Sequence, residues 1–280
     1  MPRALPYLLL LPATAFLGVF FLYPFVLVAA ESLSRDGAWT LENFRRMGTH
    51  WKFPTTLRNT LVLAAVVVPV QLAMALGMAS IVARLTAGRA SILYIFAIPL
   101  GISDLAAGLI WLAIFEQTGF LNSALAGLGL IDRPILYLGY QNPWIIFLAI
   151  ALAEIWRATA IVLIILIAGL QLIPKEFSEA AEIFGARPWT RFRKITLPLL
   201  KPSIQSALIL RTVLAFEVFA VVYALGGRNF PVLAGEAYTW QNENQNYGVA
   251  AAYAVLIMAI SLAATAVYLR ALKVDPEQLP

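Results

Sequence analysis

Apolar residues in this chain gather into long runs rather than recurring at the spacing of an amphipathic helix or an alternating strand. Between Arg3 and Glu31 lie 27 uncharged positions, Ala4 to Ala30, and between Arg58 and Arg84 another 25, Asn59 to Ala83. A helix needs about 20 apolar residues to cross the hydrocarbon core of a bilayer, so each run is long enough to be a span. Four more follow. They cover Ala90 to Phe115, interrupted by Asp104; Pro143 to Leu172, interrupted by Glu154 and Arg157; Pro202 to Leu225, holding Arg211 and Glu217; and Gly248 to Leu269. The first run exceeds the roughly 7–15 apolar residues of a cleavable signal peptide, which predicts a retained anchor. Pro69 predicts a kink in the second span, and Pro202 suits the first turn of the fifth. The pattern predicts an all-α integral membrane protein of six transmembrane helices, with both termini on one side.

Composition narrows the class further. Hydrophobic residues make up 61% and charged residues 12% of the chain, against roughly 45–50% and 25% in soluble domains, which excludes a water-soluble or disordered protein. There is no cysteine and one histidine, His50, so neither a disulfide scaffold nor a zinc cluster is available and no metal site is expected. The net charge of +5 follows from placement. Of 20 basic residues, 11 fall on the side of the termini, 7 on the other side and 2 within spans. The positive-inside rule then makes the terminal side cytoplasmic. This predicts a multi-pass protein of the cell (inner) membrane, in contact with lipid and not with nucleic acid.

One cytoplasmic loop carries most of that asymmetry, with six basic residues between Leu172 and Lys201. Its local signals predict two short helices: Pro174 at a start, Gly185 as a left-handed stop, and Pro188 at a second start. On the first helix Phe177, Ala181 and Phe184 share one face at i, i+4 and i+7. Ala180 and Ala181 are small enough for a partner's groove to close around the backbone, and Glu179 offers it a carboxylate. The basic residues after it, Arg187, Arg191, Arg193 and Lys194, read as a solvated surface facing lipid headgroups.

This loop resembles a known signature. Glu179-Ala180-Ala181, three residues, Gly185, nine residues and Ile195-Thr196-Leu197-Pro198 are similar to the EAA loop of permease subunits in binding-protein-dependent ABC importers. Tyr23-Pro24-Phe25, Leu41-Glu42-Asn43-Phe44, Asn59-Thr60, Gly108-Leu109-Ile110-Trp111 and Ile155-Trp156-Arg157 are similar to sugar permeases of the maltose type. The resemblance covers essentially the whole chain, and the Tyr-Pro-Phe first span looks like the larger member of a heterodimeric pair. One stretch departs: Leu225-Gly226-Gly227-Arg228-Asn229 stands where such permeases often carry Thr-Gly-Gly-Gly-Pro.

The resemblance implies a type I ABC importer permease. Residues 1–56 would form the first helix and a periplasmic-side segment, 57–272 the transmembrane permease domain and 273–280 a cytoplasmic tail. It implies that Glu179, Ala180, Ala181 and Gly185 couple the chain to a cytoplasmic ATPase. The chain itself has no phosphate-binding Gly-Lys pair, so it is not expected to be an enzyme or to hold a cofactor. ATP and magnesium would sit on two ATPase subunits. A companion permease and an extracellular or periplasmic solute-binding protein complete the implied complex. The implied cargo is a sugar or oligosaccharide, with glycerol phosphate or a polyol as alternatives. An autonomous ion-coupled transporter, with Asp104, Glu154 and Glu217 relaying protons, is a rival of another class. An intramembrane enzyme is disfavoured by the residue inventory.

A charge at the bilayer centre costs about 2.5–3.5 kcal/mol on insertion scales, so Asp104, Glu154, Arg157, Arg211 and Glu217 each need a partner or a watered path. Two readings stand. Glu154, Arg157, Arg211 and Glu217 line the substrate pathway, with Glu154 and Arg211 bonding sugar hydroxyls. Alternatively, Glu154 pairs with Arg157 as a structural brace, while Arg211 and Glu217 cap or snorkel. The remaining signals are weaker. Gly77 and Gly248 lie four residues from Ala73 and Ala252, a spacing that lets helices approach closely. Ala234 to Tyr247 reads as a polar, aromatic outer loop, and His50, Trp39 and Trp51 as interfacial residues.

Overall fold

The computed structural model describes residues 5–83, 85 and 87–273, with side chains from residue 8 onward. Ala4, where the first run begins, Arg84, which closes the second, and residues 274–280 of the expected tail lie outside the described residues. The described chain is mostly helical, with one ribbon of two short strands and an irregular stretch, 128–142, ahead of the longest central helix.

Helix α1 (Leu5–Leu17), a π-helical turn at Gly18–Leu22 and α2 (Tyr23–Ser32) make one continuous rod. Its side chains from Leu8 to Leu17 are exposed, and only the α2 end packs on the rest of the chain. The ribbon β1 (Ser34–Arg35) and β2 (Ala38–Trp39) follows. Its turn is Asp36-Gly37, both with positive φ (52° and 81°), as a two-residue hairpin of this hand requires. Then come α3 (Glu42–Thr49) and the 30-residue α4 (Phe53–Val82), which continues through Pro69.

The third run departs from expectation. Instead of one helix over Ala90 to Phe115, the chain forms α5 (Arg89–Ala97), a 3-10 turn at Ile98–Gly101 and a new helix α6 (Asp104–Phe115), followed by α7 (Phe120–Gly127). Pro99 interrupts the backbone ladder, and the Ser103 hydroxyl accepts a 3.2 Å bond from the Ala106 amide to start α6. Asp104 therefore opens a helix, where the amide dipoles favour a negative charge, rather than interrupting one.

The 30-residue α8 (Pro143–Leu172) is the axis of the molecule, packed on α4, α6, α12 and α13. After the loop helices α9 (Lys175–Ile183), α10 (Pro188–Arg191) and α11 (Leu197–Leu199), the fifth run is also broken. It forms α12 (Lys201–Phe216), with Pro202 in the first turn as expected, then a non-helical step at Glu217 to Phe219, and then α13 (Ala220–Gly226). The expected outer loop at Ala234 to Tyr247 is instead largely a helix, α14 (Leu233–Asn242), lying on α15 (Tyr247–Ala271). Buried Leu233 and Glu236 explain why that polar stretch folds. Five helical segments of the described chain are long and apolar enough to cross a membrane. A sixth arises if Pro188–Leu199 and Lys201–Phe216, which meet at 66°, count as one span.

Three apolar clusters stabilise the bundle. One centres on Leu63, Ile146, Ile150 and Val221, and one on Leu233, Val249 and Tyr253. The third, nearest α9, centres on Ala75, Ala79, Leu163, Leu166 and Leu200. Each fully buried aliphatic side chain contributes on the order of 1.5–3 kcal/mol in water. In lipid that drive is absent between helices, so close packing and polar contacts decide which helices meet.

Candidate functional site

Four of the five charges expected at membrane depth meet in one chain of ionic contacts. Arg211 on α12 donates from Nη2 to Glu154 Oε2 on α8 at 2.6 Å, and both side chains are 1% exposed. Its Nε donates to Gln71 Oε1 on α4 at 2.6 Å. Gln71 Nε2 in turn donates to the backbone carbonyl of Glu154 at 2.7 Å. The second oxygen of Glu154 meets Arg157 Nη2 at 3.4 Å, and Arg157 Nη1 reaches Asp104 Oδ1 at 2.8 Å. Exposure rises along the chain to 18% at Arg157 and 49% at Asp104.

This geometry revises the sequence expectation in two ways. Arg211 pairs with Glu154 instead of capping or snorkelling, because α12 lies against α4 and α8. Glu154 and Arg211 are enclosed between helices, with each charge answered by the other, so in this conformation they brace three helices. Gln71 is the piece that sequence reading missed. A lone glutamine inside an apolar run gave no hint of its role beyond its polarity at membrane depth.

Glu217 stands apart and exposed. It borders a cleft of about 400 Å3 between α12 and α15, shared with Val213, Ile257, Met258, Ser261 and Thr265. Among the described residues no cationic side chain pairs with it.

The loop helix is as expected and fully displayed. Gly185 has φ +73°. Its amide donates to Glu182 O, and the Ala186 amide to Ala181 O, each at 2.9 Å. This pair of bonds closes the end of α9 as a Schellman cap. Pro188 opens α10 in the first helical turn. Arg191 pairs with Glu182 and holds α10 against α9. Glu179 and Ala180 are exposed, Ala181 is half-buried, and Phe177, Ile183, Phe184 and Trp189 present apolar surface outward (51%, 84%, 89% and 68% exposed). Apolar side chains this open on a polar loop mark an interaction surface.

The opposite end is tied together by residues whose motifs were legible but whose purpose was not. Asn43 Nδ2 reaches three carbonyl oxygens, of Glu31, Ser32 and Ser34, at 3.3, 3.2 and 2.9 Å. It lies so close to Gly248 that a Cβ there would sit 2.5 Å from Nδ2. Asn59 Nδ2 donates to Pro231 O at 3.0 Å, and Thr60 Oγ1 accepts from the Leu233 amide at 2.9 Å, fixing the start of α14. Lys52 Nζ stands 3.7 Å from the buried Glu236 carboxylate. The Trp111 and Trp156 rings meet edge-on at 6.1 Å, joining α6 to α8. Among the described residues no cluster of three or more His, Cys, Asp or Glu could hold a metal ion.

The described chain is thus a bundle of long apolar helices, braced by a buried ion pair and displaying one loop helix at a single end. The chain belongs to the family of binding-protein-dependent transport system inner membrane components, whose family model matches residues 72–271. It is similar to the sulfoquinovosyl glycerol transport system permease protein SmoG of Agrobacterium fabrum, 35% identical over 97% of this chain and 91% of that one. The trehalose/maltose transport system permease protein MalF of Thermococcus litoralis is 32% identical over 95% and 92%. The sn-glycerol-3-phosphate transport system permease protein UgpA of Agrobacterium fabrum is 30% identical over 96% and 94%. The fold is that of a bacterial ABC transporter involved in the import of the acidic polysaccharide alginate. The TM-score is 0.83 at 20% identity, covering 96% of this chain and 95% of that one.

Proposed function

We propose that the chain is the permease through which a sugar or oligosaccharide, delivered by an external solute-binding protein, enters the cell. The ATPase that drives transport grips α9. The observation that carries this reading is α9 itself: a capped helix that offers small residues, a free carboxylate and outward-facing Phe177, Ile183 and Phe184. Glu179, Ala180, Ala181 and Gly185 form the coupling knob. A companion permease and two ATPase subunits complete the importer, with both termini and α9 on the cytoplasmic side, where the basic residues gather. Relatives named for trehalose and maltose transport support a carbohydrate cargo.

Glu154, Arg157 and Arg211 then serve the pathway indirectly. Their ion pairs hold α4, α8 and α12 together, so a displacement of α9, joined to the end of α8, moves the three helices as a block. Glu217 is the charge available to the solute.

The test is reconstitution. The importer is purified with its companions, the solute retained by its binding protein is identified, and ATP-driven uptake of that solute is measured in proteoliposomes. Ala181→Asp is expected to abolish uptake while the chain still assembles with the companion permease. Nucleotide-free uptake by this chain alone, or full activity of Ala181→Asp, refutes the reading.

A further inference from the structure

The loop that carries α9 is closed at its base. Residues 170–199 include no buried side chain, whereas Gly169 and Leu200 on either side of them are both buried. These two ends touch. A Cβ on Gly169, in the last turn of α8, would lie 2.0 Å from Ser203 Oγ, 2.6 Å from Ser203 Cβ and 2.9 Å from Leu200 Cδ1, all under the 3.0 Å that real Cβ contacts respect. No other glycine of the chain is approached so closely. Glycine weakens a helix relative to alanine, and here its lack of a side chain is what lets α12 reach the backbone of α8.

Above this neck the helices are packed, and below it they are not. Leu163, Leu166 and Ile167 of α8 and Leu200, Ile204 and Ala207 beside or on α12 share the third apolar cluster. Gln205 Nε2 donates to the Tyr268 and Leu272 carbonyls at 3.3 and 3.0 Å, which ties the same end of α12 to α15. Below, α9, α10 and α11 have no buried residue, and the pair of Arg191 with Glu182 joins α9 to α10. The neck is therefore where a force applied to α9 passes from an open loop into a packed bundle. Two feet standing apart would each turn about its own end, whereas feet in contact turn about one. Farther along, Arg211 and Glu154 join the same two helices. One contact lets two rods pivot, and a second at a different level removes that freedom.

We propose that Gly169 and Ser203 are positioning residues of transport: their contact closes the coupling loop at its base, so that α8 and α12 turn as one body when the ATPase displaces α9. The proposal rests on the permease reading above and adds where the stroke enters the bundle. With the neck forced open, the ATPase still grips α9 and still cycles, but its stroke spreads α8 from α12 instead of turning both. Hydrolysis then outruns transport.

A graded series tests this in the whole importer, reconstituted with companion permease, ATPases and binding protein. ATP hydrolysis and uptake of the solute identified on the binding protein, radiolabelled, are measured in the same vesicles. Gly169→Ala should lower the solute carried per ATP by at least about threefold, within the range that substitutions along a physical connection between two sites produce. Adding Ser203→Ala removes Oγ but leaves the Cβ at 2.6 Å, so it should restore part of the ratio. Adding Ser203→Gly removes both atoms and should restore most of it, since Leu200 Cδ1 is the end of a flexible side chain and can turn aside. A second measurement needs no loss of function. The chain has no cysteine, so Ala168→Cys on α8 and Ser206→Cys on α12, both exposed, take a pair of spin labels across the neck, in an importer whose other subunits carry no cysteine. Their separation should be the same in the nucleotide-free importer and in the importer trapped with ATP and vanadate.

A separation that shifts between those states by more than about 2 Å, the upper size of small helix shifts, overturns the proposal. So does an unchanged ratio of solute to ATP in Gly169→Ala, a parallel fall of hydrolysis and uptake, or a failure of Ser203→Gly to restore the ratio. If Gly169→Ala does not assemble, the spin-label pair with Gly169 intact still decides. Absence of ATP-driven uptake by the wild type overturns the permease reading instead.

Discussion

Arg211 and Glu154 face each other across α12 and α8 at 2.6 Å, with 1% of either side chain open to the surroundings. Removing one partner strands the other, which costs about 3–5 kcal/mol for a buried pair, whereas replacing both by apolar residues of similar size is often neutral. Arg211→Ala and Glu154→Ala should each lower the thermal stability of the detergent-purified complex, and Glu154→Leu with Arg211→Met should recover most of it. Single variants as stable as the wild type would show that the pair is not a brace.

Gln71 acts as a third member of that brace by bonding Arg211 Nε and the Glu154 carbonyl at once. Gln71→Ala leaves a buried guanidinium donor unsatisfied, at a cost of about 1–3 kcal/mol. A double-mutant cycle between Gln71→Ala and Arg211→Ala on complex stability should show coupling, because the two share one interaction.

Asp104 behaves differently because it is half exposed. Arg157 keeps Glu154 when Asp104 is neutralised, so Asp104→Asn should lower the stability of the complex by clearly less than Glu154→Ala does. A loss as large as that of Glu154→Ala would mean that the ionic chain works as one unit out to its rim.

At the loop, Gly185 holds φ +73°, a conformation that costs a residue with a Cβ about 1–2 kcal/mol. Gly185→Val should loosen the cap of α9 and reduce ATP-driven uptake with little change in membrane insertion. Gly185→Asn, which tolerates this backbone better, should retain more activity. Comparing uptake rates at equal complex yield separates the two.

At the other end, Gly248→Leu should push Asn43 out of its position against α15 and break its bonds to the Glu31, Ser32 and Ser34 carbonyls. Limited proteolysis between Leu33 and Lys52 should then be faster than in the wild type, while cleavage in the α9 loop should be unchanged.

Much of this architecture is written in runs of apolar residues, because a bilayer demands length and uniformity that few other settings do. The 30-residue α8 and the 25-residue α15 emerge within a residue or two of their expected bounds. The loop helix was legible because Pro174, Gly185 and Pro188 act locally. What the runs conceal is where a helix stops while hydrophobicity continues. Pro99 and Ser103 could have signalled the division of the third run, and Asp36-Gly37 the small ribbon. The break after Phe216 carries neither glycine nor proline, and only tertiary packing of α13 on α6 and α8 reveals it. The ion pairs were out of reach for a similar reason. Spacing along one helix suggested Glu154 with Arg157, but the stronger partner of Glu154 lies 57 residues away in sequence.

The ties made by Asn43, Asn59, Thr60 and Lys52 gather at one end of the bundle, while α9 and α10 at the other end are held mainly by their own chain connections. The helices beside that loop are themselves tied, by Gln205 to the Tyr268 and Leu272 carbonyls and by the third apolar cluster. The loop is thus a handle on a fastened frame: with little grip of its own to absorb a shove, it hands the motion straight to the helices it joins.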